Sequence, residues 1–315
     1  MKWFHLINKW LLVIVLIMFL AACSESAPPA PDVTQAPLIS VDGRGKEITF
    51  PALPQRIISM APSNTELLFA AGVGAQVVGR DEFSDFPAEA LQIESIGGSW
   101  GEYNLEKILA LDPDLILAAE IVSAEQIQAI EDLGLTVYLL PNPNNFNELF
   151  ENILEIGRIT RNSQQAELLV AELKARVDAV STKISISSSL PLVFYELDAS
   201  DPNAPYTAGK GTFIDTLITM AGGINLGAQL DGEWVPINVE TLIAANPDVI
   251  ILGDYTWGGI TPEMVESRSG WDATRAVQMG YVYTFDDNLV SRPGPRMVDG
   301  LELMARLIHP ELFDE

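Results

Sequence analysis

Short apolar runs rich in β-branched residues alternate along this chain with longer stretches whose apolar positions recur at helical spacing. The runs at Arg56 to Met60, Leu115 to Ala118, Thr136 to Leu140, Leu192 to Leu197 and Val249 to Leu252 predict buried parallel strands, with another at Val77 and Val78. Between them, Val122 to Leu133 and Gly211 to Ala221 predict helices. Ser63 with Glu66 three residues later has the spacing of a capping box, and Gly72 follows as a C-cap. Ile39 to Phe50 predicts an opening hairpin around Asp42-Gly43 and Gly45, and an αβα portion through Tyr281-Val282-Tyr283 and the Arg292 to Leu307 helix region closes the chain. Strands alternating with helices imply parallel sheets covered on both faces.

One stretch differs. From Asn162 to Ile184 there is no break, Leu169, Leu173, Val177 and Val180 fall on one stripe, and Glu172 and Arg176 stand four apart as an ion pair would. At 1.5 Å per residue such a helix spans ~30 Å, enough to run from one lobe to another.

A duplication supplies the reason to expect two lobes. Trp100 to Ile116 reads WGEYNLEKILALDPDLI and Trp234 to Ile250 reads WVPINVETLIAANPDVI. Each copy sets Trp four residues before a helix-capping Asn, Asn104 or Asn238, and a Glu in the first turn, Glu106 or Glu240, where the helix dipole favours an anion. A Pro-Asp turn and a buried strand follow in both copies. The expectation is α/β: two Rossmann-like lobes, 39–161 and 185–315, joined by one long rigid helix, 162–184, with a ligand cleft between them.

The N-terminus changes the picture from a cytoplasmic to an exported protein. Lys2 and Lys9 flank the start of LLVIVLIMF, which leads into Leu20-Ala21-Ala22-Cys23. The apolar run is too short for a membrane span and fits a signal peptide, residues 1–22. Leu-Ala-Ala-Cys resembles the lipobox of bacterial lipoproteins, so Cys23, the chain's single cysteine, is the expected lipidation site. A Pro- and Ala-rich tether, residues 23–38, follows. The predicted location is exported and lipid-anchored to the cell membrane, or to the periplasmic face of an outer membrane.

Charge and residue usage then narrow the chemistry. The formal net charge of −25 becomes −27 once the signal, with two Lys and no acid, is removed, which argues against nucleic acid as a partner. After that removal His309 is the only histidine and no free thiol remains, so no zinc site of His and Cys can be assembled. A histidine in the terminal LIHPELF is expected to be packed or solvated, and no carboxylate spacing marks a catalytic pair. Gly209-Lys210-Gly211-Thr212 lacks phosphate-loop spacing and predicts the turn before a helix that faces the cleft.

The segments RIISMAPSNTELLFAAGVGAQVVGRDEFSDFP, SWGEYNLEKILALDPDLILA and PYTAGKGTFIDTLITMAGGINL, followed by the repeat at Trp234, resemble in order the substrate-binding proteins of ABC importers for vitamin B12, haem and ferric siderophores, of the class III periplasmic-binding-protein fold. The resemblance implies a monomeric, non-enzymatic receptor that hands a metal-chelate nutrient to a permease and its ATPase. It also implies that Glu106 and Glu240 dock on permease arginines. Phe83, Trp100, Tyr206 and Trp234 correspond to aromatic pocket walls, and Arg292 to a pocket arginine, with Arg296 a structural neighbour. One further aromatic wall is replaced here by small residues near Ala118-Ala119, for which Tyr255 and Trp257 are the expected substitutes. No resident cofactor is implied; the ligand itself is a cobalt corrinoid or an iron chelate. With no pocket histidine, a haem ligand needs Tyr206 or Tyr255 on its iron, and a ferric siderophore favours more cations than this chain offers, which tilts the expectation toward a corrinoid. An exported enzyme using cleft carboxylates such as Asp254, or a ligand sensor, are the other classes the scaffold allows.

Overall fold

Valine, isoleucine and leucine runs buried on both faces set the frame of the molecule. The computed structural model describes residues 37–98 and 101–313. Strands β1 (Leu38–Val41) and β2 (Glu47–Phe50) form the predicted antiparallel hairpin. Its turn is tied by the Asp42 carboxylate, which accepts from the backbone N–H of Arg44 at 2.9 Å and of Lys46 at 3.0 Å.

β3 (Ile57–Ser59), β4 (Val77–Arg80), β5 (Glu94–Ser95), β6 (Leu115–Ala119) and β7 (Val137–Leu140) pair in parallel in the order β5-β4-β3-β6-β7. This is the doubly wound order, and it reverses between β3 and β6. β8 (Leu192–Glu196), β10 (Ile224–Asn225), β12 (Val249–Leu252) and β13 (Val282–Thr284) form a second parallel sheet, β10-β8-β12-β13, which reverses between β8 and β12. A two-stranded antiparallel ribbon of β9 (Tyr206–Ala208) and β11 (Trp234–Pro236) belongs to the second lobe.

The duplicated unit does the same work in both sheets. Asn104 and Asn238 cap their helices, accepting from Lys107 N at 3.0 Å and Glu240 N at 2.8 Å. The Asp of each Pro-Asp turn then reaches the start of the neighbouring first strand: Asp114 accepts from the N–H of Gln55 and Arg56, and Asp248 from that of Leu192. Each repeated strand thus lies beside the first strand of its own parallel sheet, β6 on β3 and β12 on β8. The repeat fixes the strand reversal where doubly wound sheets open a crevice.

A helix of 22 residues, Ser163–Ile184, is the covalent passage between the sheets. It packs on the helix Phe146–Ile159 of the first lobe and on Met297–Ile308 of the second. Its buried stripe is Ala166, Val170, Leu173, Val177 and Val180; Leu169, expected there, is only partly buried. The expected Glu172–Arg176 pair does not form. Arg176 turns to the C-terminal helix instead, donating to Glu302 at 2.9 and 2.6 Å and to Asp299, because a cross-helix fork satisfies more of its guanidinium than one exposed neighbour can. Phe146 meets Phe213 edge-on at 5.3 Å, so one apolar core continues from lobe to lobe. Among the described residues no helix is long and apolar enough to cross a membrane. Cys23 and the signal lie outside the described residues.

Candidate functional site

Parallel sheets bind ligands outside the carboxyl ends of their strands, where the order reverses. A cavity of about 410 Å³ occupies that place for both lobes at once. On the first lobe Ala61 to Ser63 follow β3, Phe83 follows β4, Ala119 ends β6 and Ile121 follows it, and Asn142 follows β7. On the second lobe Trp257 follows β12, and Asn288, Ser291, Arg292 and Pro293 follow β13. A second cavity, of about 330 Å³, lies at the opposite, amino end of the second sheet, lined by Pro191, Val249, Tyr281 and Tyr283 among others. It adjoins one lobe only.

Phe83, Trp257 and Arg292, three of the residues expected at the ligand site, line this one cavity. Phe83 and Trp257 come from opposite lobes, and both rings are exposed, at 41% and 57%. Ala119 lines the wall where the sequence lacks an aromatic residue. Tyr255, two residues before Trp257, is exposed but is not part of the cavity wall. Tyr206 and Trp234 are exposed on the β9–β11 ribbon, also outside that wall; the register pairs Tyr206 with Pro236 and Trp234 with Ala208, which makes them diagonal neighbours on one ribbon face. Gly209 lets the ribbon close, since a Cβ there would stand 2.0 Å from the Gly232 carbonyl. Trp100 lies outside the described residues.

The loop bearing Phe83 is pinned from below by hydroxyls. Asp81 accepts from the Phe83 N–H at 3.0 Å and from Ser84 Oγ; Thr65 Oγ1 joins Ser84 at 2.7 Å and donates to Ser59 Oγ at 2.8 Å. Burial pushes the Asp81 carboxyl above its usual range, against these hydrogen bonds. Beyond Ser84 the same loop crosses to the second lobe. Asp85 Oδ1 meets Arg292 Nη1 at 2.5 Å, and the Phe86 ring lies 4.0 Å beneath the Arg296 guanidinium.

Glu66 completes this crossing. It is 3% exposed and accepts a two-pronged bond from Arg296, Nε at 2.9 Å and Nη2 at 2.6 Å, with Arg292 3.9 Å away. The capping-box expectation for Ser63 and Glu66 fails: Ala61 is the N-cap of the helix Pro62–Ala70, no side chain caps it, and Glu66 is spent on the other lobe. With Ala61 as the N-cap the helix starts two residues before the box requires, and Pro62 at its first position leaves one N–H fewer to satisfy. Burial raises the Glu66 carboxyl above its usual range, with Arg296 pulling the other way.

Below the cleft on the second lobe, Glu196 and Asp254 are fully buried side by side. Arg268 grips Glu196 at 2.5 and 2.9 Å, and its guanidinium lies 4.8 Å from the Trp271 ring centroid. Asp254 Oδ2 accepts from the Ala199 N–H at 3.1 Å, whereas Oδ1 is buried without a donor. Burial first, and the Glu196 charge second, raise the Asp254 carboxyl to about 7. A proton held on Asp254 would give the orphaned carboxyl a hydrogen to donate to Glu196.

The phosphate-loop look-alike is a helix start. Thr212 caps the helix Phe213–Met220, and the Asp215 carboxylate takes up the Gly211 N–H at 3.1 Å. Glu106 and Glu240 are exposed at equivalent helix starts of the two lobes. His309 is buried; its Nε2 meets the Gly222 carbonyl at 3.1 Å, and Ser187 and Glu311 approach Nδ1.

Two doubly wound lobes with one crevice between their paired switch points define a two-lobed binding protein. Residues 57–289 match the family model described as "Periplasmic binding protein", and the chain belongs to that family. It is 32% identical over 97% of its length to the "Uncharacterized ABC transporter substrate-binding lipoprotein YvrC" of Bacillus subtilis, covering 98% of that protein. It is also 27% identical to a "Cobalamin-binding protein" of Halobacterium salinarum, over 95% of this chain and 84% of the other. Among solved structures, the periplasmic heme-binding protein RhuT from Roseiflexus superposes with a TM-score of 0.72 at 26% identity, over 82% of this chain and 99% of that one.

Proposed function

We propose that this protein is a lipid-anchored, non-enzymatic receptor that captures a cobalt corrinoid and delivers it to the permease of an ABC importer. The observation that carries the ligand class is the cleft wall. An exposed aromatic ring from each lobe, Phe83 and Trp257, flanks amide side chains, Asn142 and Asn288, and the one charged residue of the wall among the described residues, Arg292, is already matched by carboxylates. Flat rings bury apolar area against a macrocycle at small entropic cost, and amides suit a ligand whose rim is amide-rich and largely uncharged. A corrinoid exceeds 410 Å³, so the lobes part to admit it or the ring sits partly in the mouth, toward Tyr206, Trp234 and Tyr255. The metal arrives with the cargo and needs no resident cofactor. The names of the relatives from Bacillus and Halobacterium support the transport role and the corrinoid.

Fluorescence-quenching titration of the purified protein with cyanocobalamin, haemin and a ferric tris-catecholate tests the reading. Saturable binding of cyanocobalamin in preference to the other two is the expected result, weakened roughly tenfold or more by Trp257→Ala, since a truncated aromatic anchor costs more than about 1 kcal/mol. Haemin bound more tightly than cobalamin points to Tyr255 as an iron ligand and replaces the corrinoid reading.

Export and anchoring rest on the lipobox at Cys23, and delivery on Glu106 and Glu240. Two exposed anions in equivalent positions on the two lobes suit the two halves of a symmetric permease. Charge reversal at either, Glu106→Lys or Glu240→Lys, is expected to reduce uptake in a reconstituted transporter by roughly tenfold or more while cobalamin affinity of the purified receptor stays within about twofold. Lost affinity in the purified variant would remove the docking role.

A further inference from the structure

We propose that Asp85 is a specificity-determining residue, a built-in counter-ion that occupies Arg292 and turns the cleft against anionic ligands. The inference rests on the receptor reading above and adds a selection rule to it.

Arg292 is the one charged residue lining the cavity among the described residues, and its side chain is only 14% exposed. A lone guanidinium in such a place is an anion site, with a two-pronged match to carboxylate or catecholate oxygens. Here that capacity is taken. Asp85 Oδ1 sits 2.5 Å from Arg292 Nη1, and Glu66 stands 3.9 Å from the same nitrogen. Arg296, the other cation at the crossing, is held by Glu66 through two bonds and covered by Phe86. Each arginine at the mouth of the cleft is thus already met by a carboxylate.

The two carboxylates are not equivalent. Glu66 is buried and tied to the contact between the lobes, whereas the Asp85 side chain is 55% exposed at the end of a loop whose fixed portion is Asp81 to Ser84. Among the described residues the Asp85 carboxylate accepts no backbone hydrogen bond, and its hydrogen-bond partner is Arg292, so the local fold does not call for an acid there. An incoming anion has to displace this carboxylate and meets its repulsion on approach; an uncharged amide can share the free edge of the guanidinium without doing either. Selectivity of this kind comes from repulsion built against the wrong ligand.

The test compares wild type, Asp85→Asn, Arg292→Gln and the double variant by fluorescence titration with cyanocobalamin, haemin and a ferric tris-catecholate, at low and high KCl. For Asp85→Asn the ratio of haemin to cyanocobalamin affinity is expected to rise about tenfold, and the tris-catecholate ratio by more, because that probe carries more charge. High KCl should shrink the gain, and Arg292→Gln should abolish it in the double variant, which a merely structural role for Asp85 would not produce. An unchanged ratio in Asp85→Asn, or no measurable binding of either anionic probe by that variant, overturns the filter. The filter and the corrinoid reading fail separately: a wild type that ignores cobalamin, with Asp85→Asn gaining anionic chelates, discards the corrinoid and keeps the filter.

Discussion

Replacing Arg268 with Met is expected to lower the unfolding free energy by about 3–5 kcal/mol, the usual cost of leaving a buried charge without its partner. Arg268 is the sole cation forked onto Glu196, and Glu196 shares its burial with Asp254. Methionine keeps apolar contact with Trp271 but cannot answer either carboxylate. A loss of that size in a domain this large moves the melting temperature by roughly 10 °C. The pH dependence identifies the cause. In the folded protein the Asp254 carboxyl is raised to about 7, from an ordinary 3.8. The folded state therefore holds a proton that the unfolded chain releases between about pH 4 and 7. Stability from this group is fully present below the unfolded value and is lost as pH rises through the folded one. Asp254→Asn removes the titration, and its side-chain N–H₂ can give Glu196 the hydrogen that the protonated acid gave. That variant is expected to melt higher than wild type at pH 8 and close to it at pH 5, whereas Arg268→Met should show its larger deficit at pH 8. Thermal unfolding by circular dichroism at the two pH values decides. A deficit for Arg268→Met that is equal at both, or an Asp254→Asn protein destabilised at pH 8, would sink the shared-proton pair.

The features that position the cleft were legible because they are local or repeated. Asn104 and Asn238 announce helix starts by type and place, and the strands after the two Pro-Asp turns are apolar on both faces. Duplication made the two lobes visible in the sequence; Phe83 and Arg292 followed from the family resemblance, and Trp257 was the substitute expected where the sequence departs from it. What sequence spacing misassigned was the partnership of charged side chains. Ser63 and Glu66 have capping-box spacing, yet Glu66 bonds Arg296, 230 residues away. Glu172 and Arg176 have helix-pair spacing, yet Arg176 reaches Asp299 and Glu302. A long cation chooses among all acids that the fold brings near, and local spacing records only one of them. Asn142, Asn288 and Ser291, the polar part of the cleft wall, carried no motif; their signal was position, each lying just past the carboxyl end of a sheet strand.

The pair that joins the lobes across the cleft yields the second large effect. Glu66→Leu and Arg296→Met are each expected to cost about 3 kcal/mol or more, whereas the double variant should cost no more than either single change. The reasoning starts from the Glu66 carboxyl, which burial lifts above its ordinary range even with Arg296 bonded to it twice. Desolvation thus consumes much of what the pair gains, and the intact pair contributes little net stability. Each partner is nevertheless indispensable to the other. Without Arg296, the buried Glu66 keeps only Arg292 at 3.9 Å, and Arg296 without Glu66 keeps the Phe86 face. Removing both exchanges two desolvated charges for apolar contact at a site where Ala61 and Pro62 already supply an apolar wall. A double-mutant cycle by denaturant unfolding measures this as a favourable coupling of about 3 kcal/mol, larger than the few tenths expected of independent sites. Additive costs would remove the pair as a unit. The same cycle carried to ligand binding separates fastening from stability: if the pair sets how widely the lobes part, the double variant should fold as firmly as wild type yet release cobalamin faster, because its cleft has lost the charged contact that holds the two walls together.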